Sequence, residues 1–398
     1  MSRTAFVEFA GRFAESRVGM ASLFVTLAFL ICAALAPVIA PTNPYDLSRL
    51  ELIDALKPMG SPKVLPGEEF RASFTVENGA ATAGGDAAGL AARSCGATCL
   101  DVLLEDEATR LASLQIRNLP RGASVEGASK HPVQPWWTVN DPEANTVRIV
   151  ADEPLPENFS FNVIGRTAER PTDFVFYLGT DGFGRDMLSA ILYGIRISVF
   201  VGVAAAGSAM VIGTGLGLLA AWRGGTTDAL IMRAVDFTLS FPAILVGLAI
   251  LAVLGSGVSK VILAVVLVQW CYYARTARSL ALSELNKEYV EAAHCLRLPA
   301  WRIMLRHVLP NCMPQIIVLF TLNIAAAISL ESSLSFLGVG LPLTQPSLGM
   351  LIANGYEYIF SQKYWISVGP GLVLLVMIVA MNLLGDRLRD LNNPRFEG

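Results

Sequence analysis

Charge is scarce in this chain. Asp, Glu, Lys and Arg make up 16% of its residues, against 53% hydrophobic ones, where a soluble domain carries about a quarter charged residues. With a mean hydropathy of +0.52, this excludes an ordinary soluble protein and implies a multi-pass membrane protein with a soluble part. Signatures of covalent chemistry are missing as well. "GSGVSK" at Gly255–Lys260 lacks the spacing and the Gly-Lys pair of a phosphate loop. No serine nucleophile elbow, zinc-binding helix or dinucleotide fingerprint occurs. No carboxylate pair lies in the apolar runs, and no clear internal repeat suggests a stand-alone carrier of inverted halves. The chain is expected to catalyse no reaction, to hydrolyse no ATP by itself and to hold no metal or cofactor, which leaves a path, a receptor or a scaffold.

What is there are long apolar runs. Gly19–Ala40, Ile197–Ala221, Leu239–Leu254, Val258–Tyr273 and Trp365–Leu384, with a less uniform sixth at Met313–Leu337, predict six transmembrane helices. The first run has a basic flank and ends in "AALAPVIA"; a signal peptide is the alternative, but its apolar core is long for one. Glycines in "GVAAAGSAMVIGTGLGLLAA" suit close helix contact. Charge divides the chain by side. From Asp46 to Asp173 there are 19 acidic and 12 basic residues, and the remainder has 14 acidic and 18 basic. Arg3, Arg12 and Arg17 precede the first run, while Arg387, Arg389 and Arg395 follow the last. Positive charge favours the cytoplasm, so both termini are expected there, and an even number of spans fits.

The expected organisation is a cytoplasmic segment at 1–18, a first transmembrane helix at 19–40, an extracytoplasmic insertion at 42–177, and a five-helix membrane domain at 178–398. The fold class is thus an all-α polytopic membrane domain with an inserted, mainly-β domain. Within the insertion, "FRASFTVE", "TVRIVA" and "FSFNVIG" alternate apolar and polar residues, as strands of an antiparallel sandwich would. "ENGAATAGGDAAGLAARS" lacks bulky residues and predicts a loop. Cys95 and Cys99 in "CGATC" allow a disulfide in an oxidising compartment; free thiols are the alternative, and a metal would need more ligands than His131 adds. Trp136 and Trp137 read as packing residues, with a binding surface as the alternative. Asp181 or Asp186 is positioned to cap a helix beginning near Met187.

Lys287–Asn311, "KEYVEAAHCLRLPAWRIMLRHVLPN", is charged and lies between two apolar runs. Glu284, Lys287, Glu288, Glu291 and His294 recur at helical spacing and predict one polar face; Leu282, Leu285, Tyr289, Ala292 and Ala293 predict an apolar one. Leu298-Pro299 interrupts, and a second helix can start near Pro299. An interfacial helix on lipid is one reading; the mixture of signs favours a docking surface for a soluble partner.

This segment resembles the EAA coupling motif of bacterial ABC importer permeases. More specifically, the chain is similar to the second permease of the dipeptide/oligopeptide/nickel group. The likeness extends to "LGTDGFGRDMLSAILYGIRISVFVG", "DALIMRAVDFTLSFPAILVGLAI", "LESSLSFLGVGLPLTQPSLGML" and "LGDRLRDLNNPR". The resemblance implies a permease subunit that forms half of a path for peptides or similar solutes across the bacterial inner membrane. Its implied partners are a second permease, one or two ATPase subunits that use ATP and magnesium, and an extracytoplasmic substrate-binding protein, with membrane lipid around it and no nucleic acid. A cytoplasmic coupling helix at 284–300 would dock the ATPase through Glu288, Glu291, Ala292, Ala293, Arg297, Pro299 and Arg302. Glu291 pairing within its own chain is the alternative. Arg297 stands where the family has glycine at the turn, so Leu298-Pro299 is expected to make that turn instead. Arg233 and Asp236 are spaced to pair on one helix, as a charge network or as snorkelling side chains. Glu331 either lines the path or meets interfacial water. The insertion exceeds the short loop the resemblance implies.

Overall fold

The computed structural model describes residues 11–45, 52–77, 80–85, 90–104, 110–130, 136–140, 145–342 and 344–391. Arg3, His131 and Arg395 lie outside them. The chain forms two compact units, Met1–Ser61 with Phe176–Gly398, and Pro62–Val175.

The first unit is helical. Among the described residues five helices are long and apolar enough to cross a membrane: α1 (Arg17–Ile39), α2 (Met187–Arg223), α5 (Val258–Leu285), α7 (Ala300–Phe336) and α9 (Trp365–Leu391). Between α2 and α5 lie α3 (Gly225–Leu239) and α4 (Ala243–Leu254), bent by 91° and equivalent to a sixth span only if taken together. A single span over Leu239–Leu254 is therefore not what forms. Pro242 has no N–H to continue α3 and disfavours helix at Phe241, and the Ser240 hydroxyl donates to the Asp236 carbonyl at 2.7 Å, closing the α3 end. The 12 residues of α4 reach about 18 Å, short of the roughly 30 Å apolar core of a bilayer. The segment between α5 and α7 contributes α6 (Glu288–Cys295), and α8 (Leu348–Tyr356) precedes α9.

α2 and α5 pack through small residues. A Cβ added at Gly213 would lie 2.3 Å from the Trp270 carbonyl oxygen, and one at Gly217 would lie 2.4 Å from that of Ala274. Ala205, Ala209, Ala264, Ala277 and Ala281 are fully buried in the same core. Close backbone approach of this kind is how helices associate where lipid offers no hydrophobic drive.

α2 begins as the sequence indicates. Asp186 caps it, accepting from the Ser189 N–H at 2.9 Å. Asp181 instead folds the preceding turn, accepting from the Phe183 and Arg185 N–H groups and pairing with the Arg185 guanidinium at 2.6 Å. Both side chains of this pair are buried.

The inserted unit is β-structured. Its strands are β1 at Ser61–Leu65, β2 at Glu69–Glu77, β3 at Ala80–Gly85, β4 at Leu90–Gly96, β5 at Cys99–Leu104, β6 at Leu111–Arg117, β7 at Ala123–Val125, β8 at Ser129–Lys130, β9 at Trp136–Asn140, β10 at Thr146–Ala151, β11 at Asn158–Thr167 and β12 at Arg170–Phe176, and they form a four-stranded sheet β4-β5-β10-β7, a six-stranded sheet β3-β2-β11-β6-β9-β8 and the pair β1-β12. Alternation along β2 buries Phe70, Ala72, Phe74 and Val76. Phe161 and Val163 from its neighbour, and Leu100, Val102 and Ile149 from the other sheet, complete one core. The expected loop at "ENGAATAGGDAAGLAARS" contains β3 and β4. Each is an edge strand, where ladder hydrogen bonds suffice and bulky side chains are not required.

The seam predicts a contrast within one helix. Gly217→Leu should lower the unfolding temperature in detergent, by the equivalent of about 3 kcal/mol or more, because overpacking meets backbone here. Gly215→Ala meets nothing within 4 Å and should leave that temperature unchanged or raise it slightly. The insertion gives a second prediction. The Gly60 N–H donates to the Phe176 carbonyl at 2.8 Å, so both ends of the insertion meet on the helical unit. Replacing Pro62–Val175 by a short glycine linker should leave a chain that still enters the membrane and purifies as a monodisperse species.

Candidate functional site

α5 ends at Leu285, Asn286 closes it, and the extended Lys287 leads directly into α6. The predicted face running from Glu284 to His294 is therefore split between two helices, and the helix proper covers Glu288–Cys295 rather than 284–300. Its inner face is Val290 and Ala293, which join the core with Ala281, Ile303, Met304 and Val308. Its outer face is Glu288, Glu291, Ala292, His294 and Cys295, all exposed. The two alanines thus differ: Ala292 is open to a partner, whereas Ala293 is 4% exposed and packs inward.

The back of α6 is tied down by polar contacts that helical spacing alone did not predict. Glu284 accepts from the Lys287 ammonium and the Tyr289 hydroxyl, each at 2.7 Å. Asn311 on α7 donates to the Tyr289 oxygen at 3.2 Å and to the His307 carbonyl at 2.8 Å. Burial, together with the adjoining Glu284 carboxylate, raises the Tyr289 pKa, so the phenol remains a donor in this chain.

The turn after α6 is made by Arg297. Its φ is +54°, in the left-handed region that glycine adopts most easily. The Arg297 N–H donates to the His294 carbonyl at 2.9 Å and the Leu298 N–H to the Ala293 carbonyl at 3.2 Å, which is the Schellman arrangement of a helix C-terminus. Leu298 packs against the core. The expectation that Leu298-Pro299 replaces the glycine turn is corrected: arginine keeps the glycine's conformation, and Pro299 caps the next helix, its carbonyl accepting from Arg302 at 2.9 Å. That helix is α7. It widens into a π turn at Met304–Val308, just ahead of Pro310, whose ring would crowd the preceding turn and which cannot donate.

Glu288, Glu291, Arg297 and Arg302 are exposed. Among the described residues no ion pair involves them, Glu291 included. Trp301 and Leu305 are 61% and 55% exposed beside them. The surface is therefore acidic on α6, basic at the turn, and apolar at its edge.

The other candidate charges are arranged differently from their spacing. Asp236 pairs with Arg275 on α5 at 2.5 Å and not with Arg233, which is exposed. Asp228 pairs with Arg278 through both carboxylate oxygens. These partners lie far apart in sequence and left no local signal; together they fasten α3 to the half of α5 that leads into α6. Glu331 neither lines an open path nor meets interfacial water. It is fully buried among the hydroxyls of Ser335 at 2.7 Å, Ser198 at 3.2 Å and Ser332 at 3.4 Å. Arg196 on α2, passed over in the sequence, faces a cleft of about 1000 Å³ beside Tyr45 and Phe200.

In the inserted unit, Cys95 and Cys99 face each other across the β4–β5 turn with Cα atoms 5.3 Å apart. Trp136 and Trp137 are half-buried, with the Arg117 guanidinium 4.4 Å from the first ring centroid and the Lys130 ammonium 5.3 Å from the second. Among the described residues no group of three or more His, Cys, Asp or Glu side chains could hold a metal ion.

The turn gives a prediction of unusual sign. Arg297→Gly should stabilise the chain by about 1 kcal/mol, since a non-glycine residue in the left-handed region costs roughly that much. The unfolding temperature in detergent should rise, and a fall would show that the arginine side chain contributes more than its backbone strain.

Residues 213–398 match the model of the binding-protein-dependent transport system inner membrane component, and residues 4–58 match the N-terminal transmembrane domain of oligopeptide transport permease C. The chain is 37% identical over 222 residues to the di/tripeptide transport system permease protein DppC of Pseudomonas aeruginosa, covering 56% of this chain and 73% of that one. It is 36% identical over 263 residues to a putative peptide transport system permease protein of Brucella suis, covering 66% and 82%. It is 36% identical over 238 residues to the probable D,D-dipeptide transport system permease protein DdpC of Escherichia coli, covering 60% and 80%. Matches of this length at this identity show that the chain belongs to the family of binding-protein-dependent transport system inner membrane components, as a permease of the DppC/OppC type.

Proposed function

We propose that this permease forms half of the path through which an ATP-driven importer moves short peptides across the bacterial inner membrane, and that α6 is where the ATPase subunit docks. One observation carries this reading: α6 is anchored on one face to the α2/α5/α7 core and presents Glu288 and Glu291 on the other, exposed and with no ion pair among the described residues. A helix held this way transmits a push instead of absorbing it. Glu291 meets a cation of the ATPase, Ala292 permits close approach, and Arg297, Pro299 and Arg302 flank the contact. Ala293 acts from behind as packing. ATP, magnesium and hydrolysis belong to the one or two ATPase subunits, the second permease supplies the other half of the path, and an external binding protein selects the peptide. The peptide class follows the names of the relatives.

The orientation follows from charge. Arg387 donates to the Arg12 carbonyl, which brings the start of α1 and the end of α9 together, and α6 sits among Arg275, Arg278, Arg302 and Arg306. Basic segments of this kind belong in the cytoplasm. The termini and α6 therefore face inward and the acidic insertion faces outward, where Cys95 and Cys99 form a disulfide.

Charge reversal at the docking face tests the proposal. Glu291→Lys should reduce both co-purification of the ATPase and uptake of labelled di- and tripeptides by about ten-fold or more, as loss of one interfacial charge pair does. Normal assembly together with normal uptake would overturn it.

A further inference from the structure

The stretch from Leu330 to Leu351 is distinctive in sequence, yet docking leaves it unexplained. Its centre is Glu331. Four hydroxyls surround this buried carboxyl: Ser332 and Ser335 from α7 itself, Ser198 from α2, and Ser347, the residue that caps α8 by accepting from the Met350 N–H at 3.3 Å. Three separate helices thus converge on one side chain. The contact is close in the backbone too, since a Cβ added at Gly349 on α8 would lie 2.4 Å from the Ser332 carbonyl oxygen. Ser198, Ser332, Ser335 and Ser347 are themselves buried. No described ion pair involves Glu331, and Ile328 and Leu334 beside it are fully buried apolar residues.

An ionised carboxylate sealed from water without a cation is costly, and within a membrane more so. A carboxylic acid, by contrast, donates one hydrogen bond and accepts others, and a hydroxyl cage serves both needs. We propose that Glu331 is a positioning residue that works as an uncharged hydrogen-bond hub, locking α8 and α2 onto α7 so that the three move as one body during transport. Glutamine can replace such a hub; alanine cannot. The charge of Glu331 would then play no part in binding or conducting the solute. The transport consequence rests on the import reading above, while the locking of α8 does not.

The test uses the complex purified in lipid nanodiscs. Amide hydrogen exchange across Leu348–Tyr356 should quicken about ten-fold or more in Glu331→Ala, the counterpart of a lost buried hydrogen bond, and should stay within about two-fold of the parent in Glu331→Gln. In proteoliposomes supplied with binding protein and labelled trialanine, peptide moved per ATP hydrolysed should fall about ten-fold in the alanine variant and persist in the glutamine variant. If Glu331→Ala does not assemble, Ser335→Ala and Ser198→Ala serve in its place, each expected to quicken α8 exchange about three-fold or more. Unchanged α8 exchange in the alanine variants would overturn the lock, and a glutamine variant as impaired as alanine would show that the charge is required. A parent complex that hydrolyses ATP but takes up no trialanine would count against the import reading and leave the exchange result standing.

Discussion

Gly213 and Gly217 let the backbone of α2 rest directly on that of α5, and the helical unit is built outward from this approach. In lipid, helices gain nothing from hiding apolar surface from one another, so they associate by fit. Here the fit extends along α5 through Ala264, Ala277 and Ala281, close to the point where α5 gives way to α6. Arg275 and Arg278 extend the same helix's hold to α3. If α6 docks the ATPase as proposed, its displacement reaches α5 with only Asn286 and Lys287 between them, and passes from α5 to α2 across a contact with no room to slip.

The docking role proposed for α6 sets two demands that ordinarily conflict. A docking surface must be exposed, and a lever must be fixed. The short helix divides these between its faces, with Val290 and Ala293 inside and Glu288 and Glu291 outside. The strained backbone at Arg297 fits this logic. A left-handed arginine costs about 1 kcal/mol, but the turn it makes returns Leu298 to the core and lets Pro299 begin α7. Fully burying a leucine is worth roughly 1.5–3 kcal/mol, and Leu298 is half-buried, so its packing is of the same order as the strain and offsets it.

The sequence was most legible where a pattern is local. Apolar runs located the long helices, alternation located the main strands, Asp186 was one of two candidates for the cap of α2, and Lys287–Asn311 stood out through its charge. It was less legible where partners come from distant segments. Asp236 sits three residues from Arg233, yet its ion pair is with Arg275, because α3 turns away at Pro242 and lies along α5. Glu331 read as lining a path or meeting interfacial water; only Ser198 and Ser347, contributed by other helices, make it a buried hub. The Leu239–Leu254 run has the composition of a span, but one proline decided its length. β3 and β4 were missed because glycine and alanine carry no strand signal, although edge pairing needs only their backbones.

The presence of a whole β unit between Ser61 and Phe176 has a geometric explanation. On the helical side its base is closed by hydrogen bonds independent of anything beyond them. The Leu56 N–H reaches the Asp181 carbonyl at 2.9 Å, the Thr180 N–H reaches that of Lys57 at 3.0 Å, and the Thr180 hydroxyl accepts from the Lys57 N–H at 2.8 Å. Beneath them the buried Asp181–Arg185 pair sets the turn into α2, and removing either partner would strand a buried charge at a cost of about 3–5 kcal/mol. Lengthening a loop whose ends are already joined is cheap, about 0.6 kcal/mol per doubling, and a loop with its own core offsets that cost by folding. The constraint on this position therefore falls on the residues of the base, from Asp54 to Lys57 and from Gly179 to Asp186, and leaves the size of what they enclose free to change.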